Sequence, residues 1–188
     1  VASMTVGSDS ADNYQYTDHN DFVIGGGGAD IIWGKAGNDI LLGGNGDDTI
    51  AGGTGNDWIA GGEGSDTIWG DDINGDGLAG YDTVFYGPDP ASIHLSYNGL
   101  SANASLTVAT NAEGKDTLYG VEEVILSSGQ ASFSLSGNIS ASTNLTVRAG
   151  PATGSGLQLI DAGKLAAGAQ LRLNMTGGSS FIHDKVSD

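Results

Sequence analysis

A nine-residue pattern runs five times without a break through residues 25–69, and it constrains the fold more than any other feature of the chain. The blocks read GGGGADIIW, GKAGNDILL, GGNGDDTIA, GGTGNDWIA and GGEGSDTIW. Position six of every block is an aspartate and position eight is a large aliphatic residue. A flexible glycine-rich linker does not keep an aspartate and an aliphatic residue in one register, so the pattern indicates stacked structural units.

Each block predicts a tight turn followed by a short strand. Glycine at positions one, two and four allows positive φ angles, which predicts a sharp turn with exposed backbone carbonyls. Successive side chains of the strand point to opposite faces, so the position-eight side chain alone faces inward. Two blocks therefore complete one coil, and each turn stacks on the turn two blocks later.

The predicted turns offer oxygen atoms only. Carboxylates and exposed carbonyls, without His or Cys, suit a hard cation such as Ca²⁺, which takes about 6 to 8 oxygen ligands. The pattern resembles the RTX (repeats-in-toxin) nonapeptide GGxGxDxUx of hemolysin-type calcium-binding regions, in which U is a large apolar residue. The resemblance implies a parallel β-roll, a right-handed β-helix of nonapeptide repeats, whose stacked turns share several Ca²⁺ ions. The pairs sharing an ion would be Asp30 with Asp48, Asp39 with Asp57, and Asp48 with Asp66.

The candidate metal ligands in the repeats are the position-six aspartates and the turn glycines. They are Asp30, Asp39, Asp48, Asp57, Asp66, Gly26, Gly28, Gly44, Gly46, Gly53, Gly55, Gly62 and Gly64. Upstream, residues 7–15 and 16–24 keep Asp12 and Asp21 at position six but lose most glycines, which predicts coils with weak or empty ion sites. Asp21 stays among the candidate ligands.

The pattern is interrupted after Trp69 and then resumes. Skipping residues 73–79 returns Asp82 and Val84 to positions six and eight, so we interpret residues 70–85 as one repeat with a seven-residue insertion, and Asp82 as a further candidate ligand. Within the interruption, Asp72, Asn74 and Asp76 match the first half of an EF-hand loop. The twelfth loop position is Thr83 rather than a bidentate Glu, so a calcium loop and a plain polar turn both stay open.

The second half of the chain predicts strands of a different composition. Aliphatic residues alternate with Ser and Thr, and Gly, Asn, Ser or Pro separate the alternating segments. Residues 81–128 resemble the β-rich flank that often follows RTX repeats, through Asp116–Leu118 and Val121–Val124. The predicted fold is all-β, with a calcium-binding β-roll over 1–85 and a β-rich flanking or capping region over 86–188.

Charge follows the repeats. The chain of 188 residues has a formal net charge of −17. Residues 1–82 contain 15 acidic residues and one base, Lys35. This density predicts an expanded repeat region that folds when calcium is added. It also argues against nucleic acid and anionic membrane surfaces as partners, and no apolar run of 18 residues predicts a membrane span.

Signatures of catalysis are missing from the sequence. HExxH, GxSxG and GxxxxGK[ST] do not occur, and His19, His94 and His183 are far apart. Abundant carboxylates are what calcium repeats require, so they do not indicate acid–base chemistry. The sequence therefore predicts no enzymatic activity for this chain.

The tryptophans are predicted on the outer faces of the β-roll. Trp33 and Trp69 stand at position nine four blocks apart, with Ala51 between them, and Trp58 stands at position seven. One interpretation is that the second half of the chain or a neighbouring domain packs over them. The other is a contact with carbohydrate or a partner protein.

The RTX resemblance implies a secreted or cell-surface protein of a Gram-negative type bacterium, exported by type I secretion and folded by calcium outside the cell. Within that setting the favoured role is structural, in an adhesin or a self-assembling surface layer (S-layer), or through contacts with neighbouring domains of the parent protein. The alternative is a C-terminal secretion and folding carrier for an extracellular protease or lipase whose catalytic domain lies outside this chain.

Overall fold

Every regular element in the described part of the chain is a β-strand. The computed structural model describes residues 3–71, 80–87, 96–97, 105–110, 114–126, 144–149 and 170–175. In chain order the strands are Met4–Val6 (β1), Asn13–Gln15 (β2), Phe22–Gly27 (β3), Ile31–Ala36 (β4), Ile40–Asn45 (β5), Thr49–Thr54 (β6), Trp58–Glu63 (β7), Thr67–Trp69 (β8), Thr83–Tyr86 (β9), Ser96–Tyr97 (β10), Ser105–Thr110 (β11), Gly114–Tyr119 (β12), Glu123–Leu126 (β13), Asn144–Ala149 (β14) and Gln170–Met175 (β15).

The strands form two sheets. The first has the order β1-β3-β5-β7-β9-β13-β14-β15, and all its neighbours are parallel. The second has the order β10-β11-β12-β8-β6-β4-β2 and is parallel except for the pairs made by β11. Strands of consecutive repeats alternate between the sheets, which is the arrangement of a β-solenoid. The prediction of an all-β parallel β-roll is confirmed.

The core consists of the position-eight side chains. Those fully buried are Val23, Ile32, Leu41, Ile50, Ile59, Ile68, Val84, Leu118 and Val124. Ile32 pairs with Ile50, and Leu41 pairs with Ile59. The prediction that two blocks complete one coil is therefore confirmed, because the repeat period and the strand alternation place one apolar side chain inward from each strand.

The register extends beyond the five intact blocks. Upstream, Tyr14 pairs with Ile32, so the degraded repeats form coils as predicted. Downstream, Ile59 pairs with Val84, an offset of 25 residues instead of 18. The seven-residue insertion is thereby confirmed, while Asp72, Asn74 and Asp76 lie outside the described residues.

Both sheets continue across residue 85. Leu118 of β12 pairs with Ile68, and Val124 of β13 pairs with Val84. Strands β14 and β15 then extend the first sheet. The division of the chain at residue 85 stays a prediction.

The tryptophans lie on the outer faces, as predicted. Trp33, Ala51 and Trp69 are direct neighbours across the second sheet, and Trp58 on the first sheet is 53% exposed. Tyr119 stacks on Trp69, with ring centroids 5.2 Å apart and planes 11° apart. Part of the second half therefore covers Trp69, in agreement with the first of the two interpretations.

The reason for glycine differs between positions of the turn. Positions two and four have positive φ, as at Gly44 (φ 120) and Gly46 (φ 121). The prediction of positive φ at position one is wrong. Position one is glycine because there is no room for a side chain: a Cβ on Gly25 would contact the carbonyl oxygen of Gly43 on the neighbouring coil and would lie 2.5 Å from Oδ2 of Asp30 in its own turn, closer than any ordinary Cβ contact.

Lys35 is an exception to glycine at position two. It occupies position two of the second block with φ 77, and it is the one non-glycine residue of positive φ in the described ranges. A left-handed conformation costs a residue with a Cβ about 1–2 kcal/mol. The turn therefore carries backbone strain that the other intact blocks avoid.

We expect Lys35→Gly to be more stable than Lys35→Ala by about 1 kcal/mol in free energy of unfolding. Both substitutions remove the same charge and long side chain, so their difference isolates the backbone term. Denaturant unfolding at saturating calcium measures it. Equal stability of the two variants would contradict the strain at this turn.

Candidate metal centre

The position-six aspartates form two continuous hydrogen-bonded columns. In each column the backbone amide of one aspartate donates to Oδ1 of the aspartate one coil later. Asp30 donates to Asp48 at 2.8 Å, and Asp39 donates to Asp57 at 2.8 Å. The full columns are Asp12, Asp30, Asp48, Asp66 and Asp116, and Asp21, Asp39, Asp57, Asp82 and Glu122.

The structure thus brings together each pair of aspartates that the sequence predicts to be stacked. Asp48 donates to Asp66 at 2.8 Å, which completes the three pairs. These pairs are joined by hydrogen bonds from amide to carboxylate. Whether each pair also shares an ion stays a prediction. The hydrogen bond occupies one carboxylate oxygen and leaves the other for a different partner.

That second oxygen has no donor. Oδ2 is buried without a hydrogen-bond partner in six aspartates: Asp30, Asp39, Asp48, Asp57, Asp66 and Asp82. Their residues are at most 1% exposed. A buried carboxylate oxygen without a donor or a cation costs free energy. The six oxygens are therefore the strongest indication of a ligand in the described residues.

Backbone carbonyls lie beside these oxygens. A Cβ on Gly43 would contact both Oδ2 of Asp48 and the carbonyl oxygen of Gly61, the latter at 2.5 Å. The position-one glycines therefore border a space lined by a carboxylate oxygen and a carbonyl oxygen. Sequence reasoning missed their part in the site, because it assigned position one to backbone conformation. The glycines concerned are Gly25, Gly34, Gly43, Gly52 and Gly70, whereas a Cβ on Gly61 would contact the side chain of Asp66.

The candidate glycines of positions two and four lie in the same turns and stack coil on coil. A Cβ on Gly44 would contact the carbonyl oxygen of Gly26, and one on Gly46 would contact that of Gly28. The same stacking places Gly62 over Gly44 and Gly64 over Gly46. Gly53 lies over Lys35 and Gly55 over Gly37. A backbone carbonyl oxygen of the preceding coil therefore lies beside each of these glycines.

The donor set fits calcium and does not resemble a side-chain cage. In the part of the chain that the structure describes, no three His, Cys, Asp or Glu side chains converge on one point. An ion between two turns would take carboxylate oxygens from the column and its other ligands from glycine carbonyls. Such mixed oxygen coordination at flexible geometry is what Ca²⁺ accepts and what Mg²⁺ tolerates poorly.

Burial and neighbouring carboxylates disfavour ionisation along the columns. Burial raises the pKa of Asp39 and Asp48 to about 6, although amide hydrogen bonds oppose the rise. Burial and the next carboxylates raise the pKa of Asp57 and Asp66 to about 7. Burial is also the largest cause that raises the pKa of Asp82 to about 8. The charged form is therefore disfavoured along these parts of the columns unless a cation compensates it.

The first coils satisfy their aspartates differently. Ser8 donates its amide (3.1 Å) and hydroxyl (2.9 Å) to Oδ2 of Asp12, and Thr17 donates its amide and hydroxyl to Oδ2 of Asp21, both at 3.0 Å. Ser3 donates to Oδ1 of Asp21 at 2.7 and 2.8 Å. Burial raises the pKa of Asp21, but these hydrogen bonds outweigh it and the pKa is lowered.

Ser8 and Thr17 occupy position two, where intact blocks have glycine or Lys35. Their donors take the place that a cation would otherwise have. Hydrogen bonds from Ser8 are likewise the largest cause that lowers the pKa of Asp12. Asp21, a candidate ligand from the sequence, is therefore placed with both carboxylate oxygens hydrogen-bonded.

Two residues at the far end of the columns were not among the candidates. Asp116 accepts the amide of Asp66 at 2.9 Å, and Glu122 accepts the amide of Asp82 at 2.9 Å. A signal for Asp116 was present, because Asp116–Leu118 repeats the Asp-Thr-aliphatic order of Asp66–Ile68. Separations of 50 and 40 residues hid the stacking. Tyr86 also donates to Oδ2 of Asp116, at 2.8 Å.

These features define a class: a parallel β-solenoid whose turns stack carboxylate and carbonyl oxygens in columns. Residues 16–50 and 42–72 match the family model of the RTX calcium-binding nonapeptide repeat. The chain thus carries RTX calcium-binding repeats over residues 16–72, which confirms the family predicted from the sequence. Among curated proteins none matches the chain.

One solved structure similar to the chain is the solution structure of the AlgE6R3 subunit from the Azotobacter vinelandii mannuronan C5-epimerase. The identity is 25%, the match covers 61% of this chain and 73% of that chain, and the TM-score is 0.40. The fold assigned above depends on strand pairing alone. No helix in the described ranges has the length and apolar character needed to cross a membrane.

We expect the folded fraction in calcium-free buffer to rise as the pH is lowered from about 8 to about 5. The pKa values of Asp39, Asp48, Asp57, Asp66 and Asp82, about 6 to about 8 in the fold, exceed the ordinary 3.8. Between these limits the folded chain binds more protons than the unfolded chain, so stability falls as pH rises. Circular dichroism across this range measures the effect, and a pH-independent signal would contradict it.

Proposed function

We propose that this chain is a calcium-dependent structural module of a secreted or cell-surface bacterial protein. The observation that carries the proposal is the set of six buried Oδ2 atoms without donors, stacked beside glycine carbonyls. Each intact turn supplies an acidic oxygen and backbone oxygens to its neighbour. Calcium bound between the turns supplies the positive charge that the protein itself does not provide there.

Without calcium, the same columns oppose folding. Each coil brings two carboxylates out of water and places them one coil apart from like charges, which is unfavourable for ionised groups. The unfolded chain keeps these groups solvated and separated. A chain of this kind stays expanded at low calcium and folds when calcium neutralises the columns.

This behaviour suits export as an unfolded chain. Type I secretion would pass the expanded chain at the low calcium concentration of the cytoplasm, and extracellular calcium would fold it outside. Sites with dissociation constants of about 10⁻⁴ to 10⁻³ M, as in extracellular modules, would respond to that difference. A structural role in an adhesin or a surface layer is favoured over a carrier role by the second half of the chain, in which Ser and Thr alternate with aliphatic residues.

A calcium titration followed by circular dichroism and light scattering tests the proposal. We expect a disordered chain at neutral pH in chelator and cooperative folding at sub-millimolar to millimolar calcium, with magnesium as the inactive control. A chain already folded in chelator at neutral pH would overturn it. Growth of ordered particles with calcium would support the surface-layer role, whereas a folded monomer at high protein concentration would favour the carrier role.

The two kinds of column residue provide a matched pair of variants. We expect Asp39→Asn to raise the calcium concentration at the folding midpoint about tenfold, because it removes an acidic oxygen that has no donor. Asp21→Asn makes the same charge change one coil earlier, where Ser3 and Thr17 already satisfy the carboxylate; it is expected to shift the midpoint less, because it loses hydrogen bonds from one oxygen but no calcium ligand. Equal shifts in the two variants would contradict the assignment of Asp39 as a ligand.

A further inference from the structure

Three segments that are distant in sequence meet where the β-roll leaves and rejoins the nine-residue register. Gly70 donates its amide to the carbonyl of Tyr119 at 2.9 Å, and Asp82 donates its amide to Oε2 of Glu122 at 2.9 Å. We call this region the junction; it comprises residues 70–71, 80–82 and 119–122. The junction holds strands β12 and β13 onto the repeats.

Asp71 is the unusual residue of the junction. It follows Gly70 at position two, which is a glycine or Lys35 in residues 25–69. Its Oδ2 lies 2.7 Å from the point that a Cβ on Gly120 would occupy. The amide of Gly80 donates to its carboxylate, yet its Oδ1 is buried with no donor among the described residues. Asp71 is therefore directed into the junction with one oxygen unsatisfied.

Asp82 provides a second, independent indication of a ligand. Its side chain is fully buried (0% exposed), and its Oδ2 has no donor in the described ranges. A Cβ on Gly70 would lie 2.6 Å from this Oδ2 and would also contact the carbonyl oxygen of Gly120. The carboxylate of Asp82 and the carbonyl of Gly120 thus border one space beside Gly70. Asp71 is the next residue in the chain.

The junction gathers negative charge without a base. Burial raises the pKa of Glu122 to about 7, and Asp71 adds to the rise. Asp71 likewise contributes to the raised pKa of Asp82, after burial and the nearer carboxylates. The one ion pair found within the described ranges joins Glu123 to Arg148, outside this cluster.

The residue at position two differs between the junction and the opposite end of the β-roll. At the first coils, Ser8 and Thr17 at this position donate to Oδ2 of the aspartate four residues later, the atom that has no donor in the other coils. At the junction the same position brings an acceptor, Asp71, instead of a donor. The carboxylate of Asp82 therefore gains a second carboxylate as its neighbour, and burial of the two requires either a bound proton or a cation.

We propose that Asp71 joins Asp82 and the carbonyl oxygen of Gly120 as a ligand of the last calcium ion of the columns, so that position two supplies a carboxylate that the nonapeptide pattern does not have. This ion fastens residues 114–126 to the repeats. The remaining ligands are backbone carbonyls and water, as is common for Ca²⁺. Glu122 positions Asp82 by accepting its amide and adds negative charge. The proposal rests on the calcium-dependent function proposed above and extends it from the repeats to the flanking strands.

The site has a structural consequence. Strands β12 and β13 rejoin the sheets only after excursions that separate Asp66 from Asp116 by 50 residues and Asp82 from Glu122 by 40 residues. Closing such excursions costs conformational entropy. An ion held by two sides of the junction offsets this cost, so in the wild-type chain the docking of β12 and β13 depends on calcium bound there.

Asp71→Asn and Asp71→Thr test the site, with Asp18→Asn as an exposed control of equal charge change. Calcium binding is counted by isothermal titration calorimetry, and amide hydrogen exchange is followed separately for residues 31–63 and 114–126. We expect Asp71→Asn to bind one ion fewer and to lose calcium-dependent protection in 114–126, while 31–63 stays protected. We expect Asp71→Thr also to lose the ion but to keep protection in 114–126, because its hydroxyl can donate to Asp82 as Thr17 does to Asp21.

An unchanged ion count in Asp71→Asn would overturn the junction site, provided that the wild-type repeats gain protection with calcium. Loss of the same ion in Asp18→Asn would also overturn it, since that side chain is exposed and distant in the repeat register. Absence of calcium-dependent protection anywhere in the wild-type chain is a separate outcome, because it would overturn the proposed function itself.

Discussion

The structure depends on one hydrogen bond that repeats along each column: the amide of a position-six residue donates to the carboxylate one coil later. This bond fixes the stacking of the turns and draws each carboxylate out of water. It uses one carboxylate oxygen and leaves the other buried. In six aspartates that oxygen has no donor, so the contact that stacks the coils also creates the demand for a cation.

The residue at position two determines how this demand is met. Ser8 and Thr17 supply hydroxyl and amide donors, so the first coils satisfy their aspartates with protein groups alone. Glycine in the intact blocks allows the turn to adopt positive φ and contributes no side-chain donor. Asp71 contributes another acceptor. The residue at this one position therefore decides whether the second carboxylate oxygen of a coil is hydrogen-bonded by the protein or needs a cation.

The sequence predicted the coil, the inward residue and the stacked aspartates because all three follow from a strict period. It could not predict why Gly43 is glycine. A glycine in a sequence can mean either a positive φ or a neighbouring oxygen too close for a side chain, and at Gly43 the second reason applies. Asp116 and Glu122 were missed as column members because long excursions interrupt the period before them. The donors of Ser8 and Thr17 were missed because their effect depends on side-chain geometry four residues away.

The direction of the pKa shifts along the columns shows where an ionised carboxylate is least favourable in the absence of calcium. The pKa is lowered at Asp12 and Asp21, raised to about 6 at Asp39 and Asp48, to about 7 at Asp57 and Asp66, and to about 8 at Asp82. Burial is the largest cause of each rise. The first coils tolerate ionised aspartates because Ser and Thr groups donate to them, whereas ionisation is least favourable at Asp82, where the repeats meet their flank. The need for a cation, or for a proton in its absence, is therefore greatest at that end of the columns.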